Sequence, residues 1–367
     1  MQSLSTLNFP VLRGVQAGHE YYVAMWTLRT LQRVAIFDET ELPAEMRAQR
    51  VLNKSRIPEI ANYILDNSET YVFSAITVSI DSEVEFVPLS DRPGEDRLGL
   101  LKVPTEARFV INDGQHRRAA ILAAIEHKPD LANETIAVVF FLDLGLARCQ
   151  QMFADLNRYA IRPSRSLGLL YDHRDDKAEL ARLVVMKSSF FRDIVDMEKS
   201  SLALRSRKLF TLSAFYNACA DLIADIATGD RDTDASIARE YWDAVAQHFP
   251  AWEQVKEGRL PASELREGYI HSHGIALQAL GKAGNALLRE HHHSQKWKPL
   301  LKKLEKIDWS RKNAKLWEGR AMIGGKISKA TTNLVLTTNV IKQHLGVELS
   351  DEEQRVEDAH KRGGNHR

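Results

Sequence analysis

The chain has 367 residues, 44% hydrophobic and 27% charged, enough to bury a core, which excludes intrinsic disorder as its main state. Its 50 Lys+Arg against 49 Asp+Glu give a net charge of +1, so the whole chain is no basic nucleic-acid coat and any electrostatic footprint is local. Two cysteines, Cys149 and Cys219, without CxxC spacing exclude a disulfide scaffold or a cysteine-based metal site and fit a reducing compartment.

In chain order, the spacing of Ile57, Ile60 and Ile64 predicts a helix over 57–65, with Pro58 and Glu59 in its first turn. The aromatic and β-branched run 71–80 predicts a strand, and 83–87, 98–103 and 108–111 predict shorter ones, with a charged turn at 90–97. A helix over 115–127 and a buried strand over 136–142 complete an expected strand–helix–strand unit. From residue 144 the pattern turns helical, with helices expected over 177–186, 208–226, 235–249, 263–290 and 297–306. Residues 350–367 are charged and end in Gly-Gly-Asn-His-Arg, which predicts a fraying tail. No run of about 18 apolar residues occurs, and the N-terminus lacks a signal-peptide pattern, so the expectation is cytoplasmic, with no membrane partner.

Charge is uneven along the chain. Residues 221–270 hold 11 acids and 5 bases, whereas 281–350 hold 14 bases and 5 acids. Within the basic stretch, Trp297, Trp309 and Trp317 alternate with Lys296, Lys298, Lys302, Lys303, Arg311, Lys312 and Lys315, and Gly324-Gly325-Lys326 reads as a flexible basic loop. Lysines that neutralise phosphates beside planar groups that stack suit a nucleic-acid surface; an amphipathic helix with core tryptophans is the plainer alternative. The acidic stretch is a docking face or a solvated one. His291-His292-His293 lacks a carboxylate at metal-triad spacing, so no metal site is expected.

The most informative stretch is 109–120, in which an apolar strand runs into Asn112-Asp113-Gly114 and a helix opens with Gln115-His116-Arg117-Arg118. A helix N-terminus presents unpaired N–H groups and partial positive charge, so it attracts anions. Gly114 permits close approach, and Asp113 caps the helix or serves as a ligand or base. Arg117 and Arg118 oppose the helix dipole and cost stability unless an anion or carboxylate sits nearby.

Asp113-Gly114-Gln115-His116-Arg117 is the DGQHR signature, and the chain resembles the DndB family, DGQHR-domain proteins of bacterial DNA phosphorothioation (sulfur modification) systems. The similarity extends upstream to Arg50, Leu52, Asn53, Arg56, Ile57, Ile60 and Tyr63, and downstream to Phe153, Leu156, Asn157 and Arg158. It reaches Ile307-Asp308-Trp309-Ser310-Arg311, Asn313 and Trp317, so it covers most of 13–346. The resemblance implies an α+β protein, with a ParB/sulfiredoxin-like mixed-sheet domain over 13–165, a mainly helical domain with the basic segment over 166–349, and a flexible tail over 350–367. In ParB relatives a Gly-Glu-Arg-Arg motif at the equivalent turn binds nucleotide phosphates; Gly114, Gln115, His116 and Arg117 fall on those positions. Sulfiredoxin carries Gly-Cys-His-Arg there, and Gln115 stands where its cysteine would be.

The function implied is a DNA-binding regulator that binds promoter DNA of the modification genes. Its partner is double-stranded DNA, with other DNA sulfur modification proteins and a homo-oligomer left open. The alternative is a nucleotide-binding NTPase or DNA-nicking enzyme, with a nucleoside triphosphate and Mg²⁺ as cofactors and Asp113 and His116 as catalytic groups. In that alternative Arg56, Gly114, Gln115, Arg117, Arg118 and Asn157 hold phosphate.

Overall fold

In a computed structural model, which describes residues 5–34, 54–92, 94–142, 163–291 and 294–364, the chain divides into two units, Met1–Ile161 and Arg162–Arg367. The first opens with a hairpin that no sequence expectation covers: β1 (Thr6–Gln16) and β2 (His19–Thr27). Phe9, Val11, Tyr22, Ala24 and Trp26 alternate inward along them, the period of a half-buried strand. The turn residues Ala17 and Gly18 have φ of 50° and 77°, the doubly positive pair that matches strand twist.

Short helix α1 (Leu28–Val34) follows, then α2 (Arg56–Asp66). Strands β3 (Ile76–Asp81), β4 (Glu85–Pro88), β5 (Leu98–Pro104) and β6 (Arg108–Asp113) lead into α3 (Gln115–His127) and β7 (Thr135–Leu142). The seven strands form one mixed sheet in the order β4-β5-β1-β2-β7-β3-β6, with β3 and β7 parallel and every other neighbour antiparallel. Helices α1, α2 and α3 bury Leu31, Ile64 and Ile121 on one face of it, where Phe9, Trp26, Phe109 and Phe140 pack as an aromatic cluster.

One expectation changes here. The strand expected over 71–80 begins only at Ile76, because Phe73 packs on Tyr63 of α2 and on Tyr71, and the Val72 amide donates to the Tyr63 hydroxyl (3.0 Å). The expected strand–helix–strand succession is present as β6, α3 and β7, with β3 lying between the two strands in the sheet.

The second unit is mainly helical, so the chain is α+β. Its elements begin with α4 (Arg165–Tyr171), α5 (Asp176–Lys187), α6 (Phe191–Ile194), and the short parallel pair β8 (Val195–Asp196) and β9 (Phe210–Thr211). They continue with α7 (Leu212–Ile223), α8 (Arg231–Ala246), α9 (Pro250–Lys256), α10 (Ala262–Gly268), α11 (Gly274–Glu290) and α12 (Ser294–Leu301). The last are α13 (Ala314–Trp317), hairpin strands β10 (Met322–Ile323) and β11 (Lys326–Ile327), α14 (Thr331–Leu345) and α15 (Asp351–Gly364). Asp175, Thr211 and Asp230 cap α5, α7 and α8 by accepting from first-turn amides, which starts each helix at its side-chain acceptor. The helix expected over 263–290 is broken between Gly268 and Gly274.

Helices α7 and α11 cross closely: a Cβ on Gly281 would lie 2.2 Å from the Ala218 carbonyl oxygen. Cys219 is fully buried in the same core, and burial pushes its thiol pKa up. The expected fraying tail is instead helix α15. Its Glu357, 1% exposed, forms a two-pronged ion pair with Arg320 (2.6 and 2.8 Å), and its Glu353 pairs with Lys342 of α14 (2.7 Å). A buried carboxylate and a half-buried one, each with a cationic partner, dock a segment whose composition alone reads as solvated. Among the described residues no helix is long and apolar enough to cross a membrane.

Candidate functional site

The junction of β6 and α3 is built by a bulge and a glycine. Thr77 faces Asp113 and Val78 faces Ile111, so Asn112 is an extra residue in β6, the last strand of the sheet order. Its side chain is fully buried and donates to the Ser79 hydroxyl (2.6 Å). Gly114 follows with φ of 104° and forms the N-cap of α3, and no side chain caps that helix. The positive φ favours glycine there, and a Cβ would press on the Ile76 side chain at 3.1 Å.

The polar residues of the loop are largely engaged with the protein itself. Asp113 does not cap the helix; its carboxylate accepts from Arg117 (2.7 Å), one turn on. Arg117 also donates to the Ser74 carbonyl (2.9 Å) and to the Ser74 hydroxyl. The carboxylate that Arg117 needs near the helix start is therefore the neighbouring Asp113. Arg118 donates to the Leu31 carbonyl of α1 (3.3 Å), and burial lowers its pKa. Gln115 donates to the Ile111 and Asn112 carbonyls (3.3 Å each), closing the end of β6.

His116 and Arg56 are brought together from separate helices. Burial lowers the His116 pKa first and the Arg56 charge lowers it further, against an opposing pull from Asp113. Arg56 is exposed at the first position of α2. This places an exposed cation near the imidazole in the first turn of α3, whose N-cap, Gly114, offers no side chain. Asn157, assigned to the same phosphate site, lies outside the described residues, as do Arg50, Asn53, Phe153, Arg158, Cys149, His292 and His293. Among the described residues no three His, Cys, Asp or Glu side chains gather as a metal-ligand group. The signals missed in the sequence are Ser74, which clamps Arg117 across 43 positions, and the Asn112 bulge; neither has a local pattern.

The basic segment divides into structural and free cations. Lys303 donates to the Leu345 carbonyl at the end of α14 (2.9 Å), and Lys298 pairs with Glu240 (2.6 Å). Arg311 binds the Glu267 and Gly325 carbonyls (3.1 and 2.8 Å). Lys296, Lys302, Lys306, Lys312 and Lys315 are exposed and have no ion-pair partner among the described residues. The tryptophans do not join them: Trp297, Trp309 and Trp317 are buried, and Trp309 stacks on Trp317 (5.4 Å), so base stacking on these rings is excluded as they stand.

Three acids of the acidic segment are paired with bases of the basic one. Asp221 pairs with Lys282, Asp225 with Arg289 and Glu240 with Lys298, so acids of one segment meet bases of the other across helices.

Residues 9–348 match the family model named DndB and described as DNA-sulfur modification-associated. No curated protein and no solved structure matches the chain. A match that spans both units, from β1 to the end of α14, is no local likeness of one loop: the chain belongs to the DndB family and so to DNA sulfur modification systems.

Proposed function

We propose that the chain is a double-stranded DNA-binding regulator of a DNA phosphorothioation system, acting at promoter DNA of the modification genes. Family membership supports the system. The observation that carries DNA binding is the set of exposed lysines 296, 302, 306, 312 and 315, without ion-pair partners among the described residues, in a stretch (281–350) with 14 bases against 5 acids. Free lysines bind phosphate by releasing condensed counterions, which makes affinity steeply salt-dependent. A mobility-shift series on DNA from upstream of the modification genes tests this. Alanine at Lys296, Lys302, Lys312 and Lys315 together weakens binding and flattens the plot of log K against log salt, by about 0.9 for each phosphate no longer neutralised. Lys303 and Arg311 are left intact because they hold carbonyls of the fold. An unchanged slope removes this surface.

One observation favours a second role for the sheet unit. The N-terminus of α3 is capped by Gly114 alone, with Arg56 beside it, an arrangement that suits a phosphate group. Its likeness to the phosphate turn of ParB relatives supports a nucleoside triphosphate there, held with Mg²⁺. Asp113 is tied to Arg117, so its removal also loosens the loop, and Arg56→Ala is the cleaner probe. Equilibrium dialysis with each nucleoside triphosphate and Mg²⁺ gives binding that Arg56→Ala weakens; no uptake of any of the four ends this reading.

A further inference from the structure

Hairpin β10–β11 is expected from the sequence to be a flexible loop, yet it is a braced projection. Ile323 faces Lys326 across a two-residue turn, with Gly324 and Gly325 at φ of 57° and 72°. Three interactions hold that turn from below. Arg311 donates to the Gly325 carbonyl (2.8 Å), and the Glu318 carboxylate accepts from the Gly325 amide (3.2 Å) and from the Gly324 amide. Met322 points inward at 2% exposure, while Ile323 points out at 58%. Lys326 and Lys329 are exposed on the hairpin and just beyond it, and Lys312 and Lys315 belong to the segment that braces it.

An exposed isoleucine is common on protein surfaces and means little by itself. This one flanks the turn of a braced hairpin, directly across from exposed Lys326, with side-chain-free residues next to it. The turn amides, which otherwise form an anion-binding nest, are already occupied by Glu318. The tip therefore offers an apolar point framed by cations rather than a phosphate cradle. Proteins that kink DNA insert such apolar side chains between base steps from the minor groove, with lysines on the flanking phosphates.

We propose that Ile323 is a DNA wedge: the hairpin tip enters the minor groove of bound duplex, and Ile323 partly unstacks one base step. The proposal rests on the DNA-binding reading above and adds a deformation to it. The test is a bend measurement by end-to-end fluorescence transfer on a labelled duplex from upstream of the modification genes, paired with the salt series. The wild-type chain bends the duplex by roughly 20–90°. Ile323→Ala straightens it and lowers affinity about tenfold, as loss of one buried aliphatic side chain would, with the salt slope unchanged because no charge is removed. Ile323→Leu keeps the bend. Binding without a bend, or a bend that survives Ile323→Ala, overturns the wedge and leaves the lysine surface standing. No binding by the wild-type chain at low salt overturns the regulator reading and the wedge with it.

Discussion

Gly114 and Asp113 show how much of the DGQHR loop is architecture. Gly114 holds a φ of 104° that other residues adopt only under strain, and a Cβ would press on Ile76 at 3.1 Å. Gly114→Ala is expected to destabilise the sheet unit by roughly 1–3 kcal/mol, read as a lower urea midpoint; an unchanged midpoint would show that the turn relaxes freely. Asp113 and Arg117 neutralise each other, and Ser74 holds the guanidinium from the other side. The Asp-Gly turn before a helix, the glycine and the strand-to-helix change were all legible in the residues. The partner of Arg117 was legible only as a need for some carboxylate, and Ser74 was not legible, because it comes from a segment 43 positions away.

At the scale of elements, periodicity located α2, α3, β5, β6 and β7 to within a residue or two. It failed where an element owes its existence to a partner. Helix α15 is mostly charged and has few apolar residues, yet it docks through Glu357 on Arg320 and Glu353 on Lys342. Removing one member of a buried pair leaves the other uncompensated and typically costs about 3–5 kcal/mol. Glu357→Ala is therefore expected to lower the thermal midpoint and raise protease cleavage near 351–364, whereas the same change at exposed Glu352 is expected to do neither. Equal behaviour of the two variants would mean that the ion pair does not hold α15. The β10–β11 hairpin illustrates the opposite failure: Gly-Gly suggests looseness in one dimension, but Glu318 and Arg311 satisfy its backbone and stiffen it.

At the scale of the whole molecule, the helical unit carries a built-in sensitivity to acid. His271 is 5% exposed and accepts from the Trp252 indole N–H (2.9 Å), and burial, with His273 nearby, depresses its pKa to about 3. His273 donates to the Arg266 carbonyl (2.7 Å). Its pKa falls to about 4, mainly through burial, with Arg311, Lys329 and Arg266 adding to it. Both values lie below the unfolded value of about 6.5, so on acidification the unfolded chain takes up protons first. Stability is then full above about pH 6.5 and declines as the pH falls towards 4 and then 3. A thermal midpoint that stays flat from pH 7 to pH 4.5 would contradict this. The sequence by itself determined the α+β division, most sheet-unit elements, the local charge asymmetry and the likeness to sulfur-modification proteins, because these follow from periodicity, composition and short motifs. Only the tertiary structure decided which charges are spent internally, which remain for a ligand, and which way the tryptophans and Ile323 face. Ion pairing and burial depend on distances between residues far apart in the chain, and no local pattern encodes those distances.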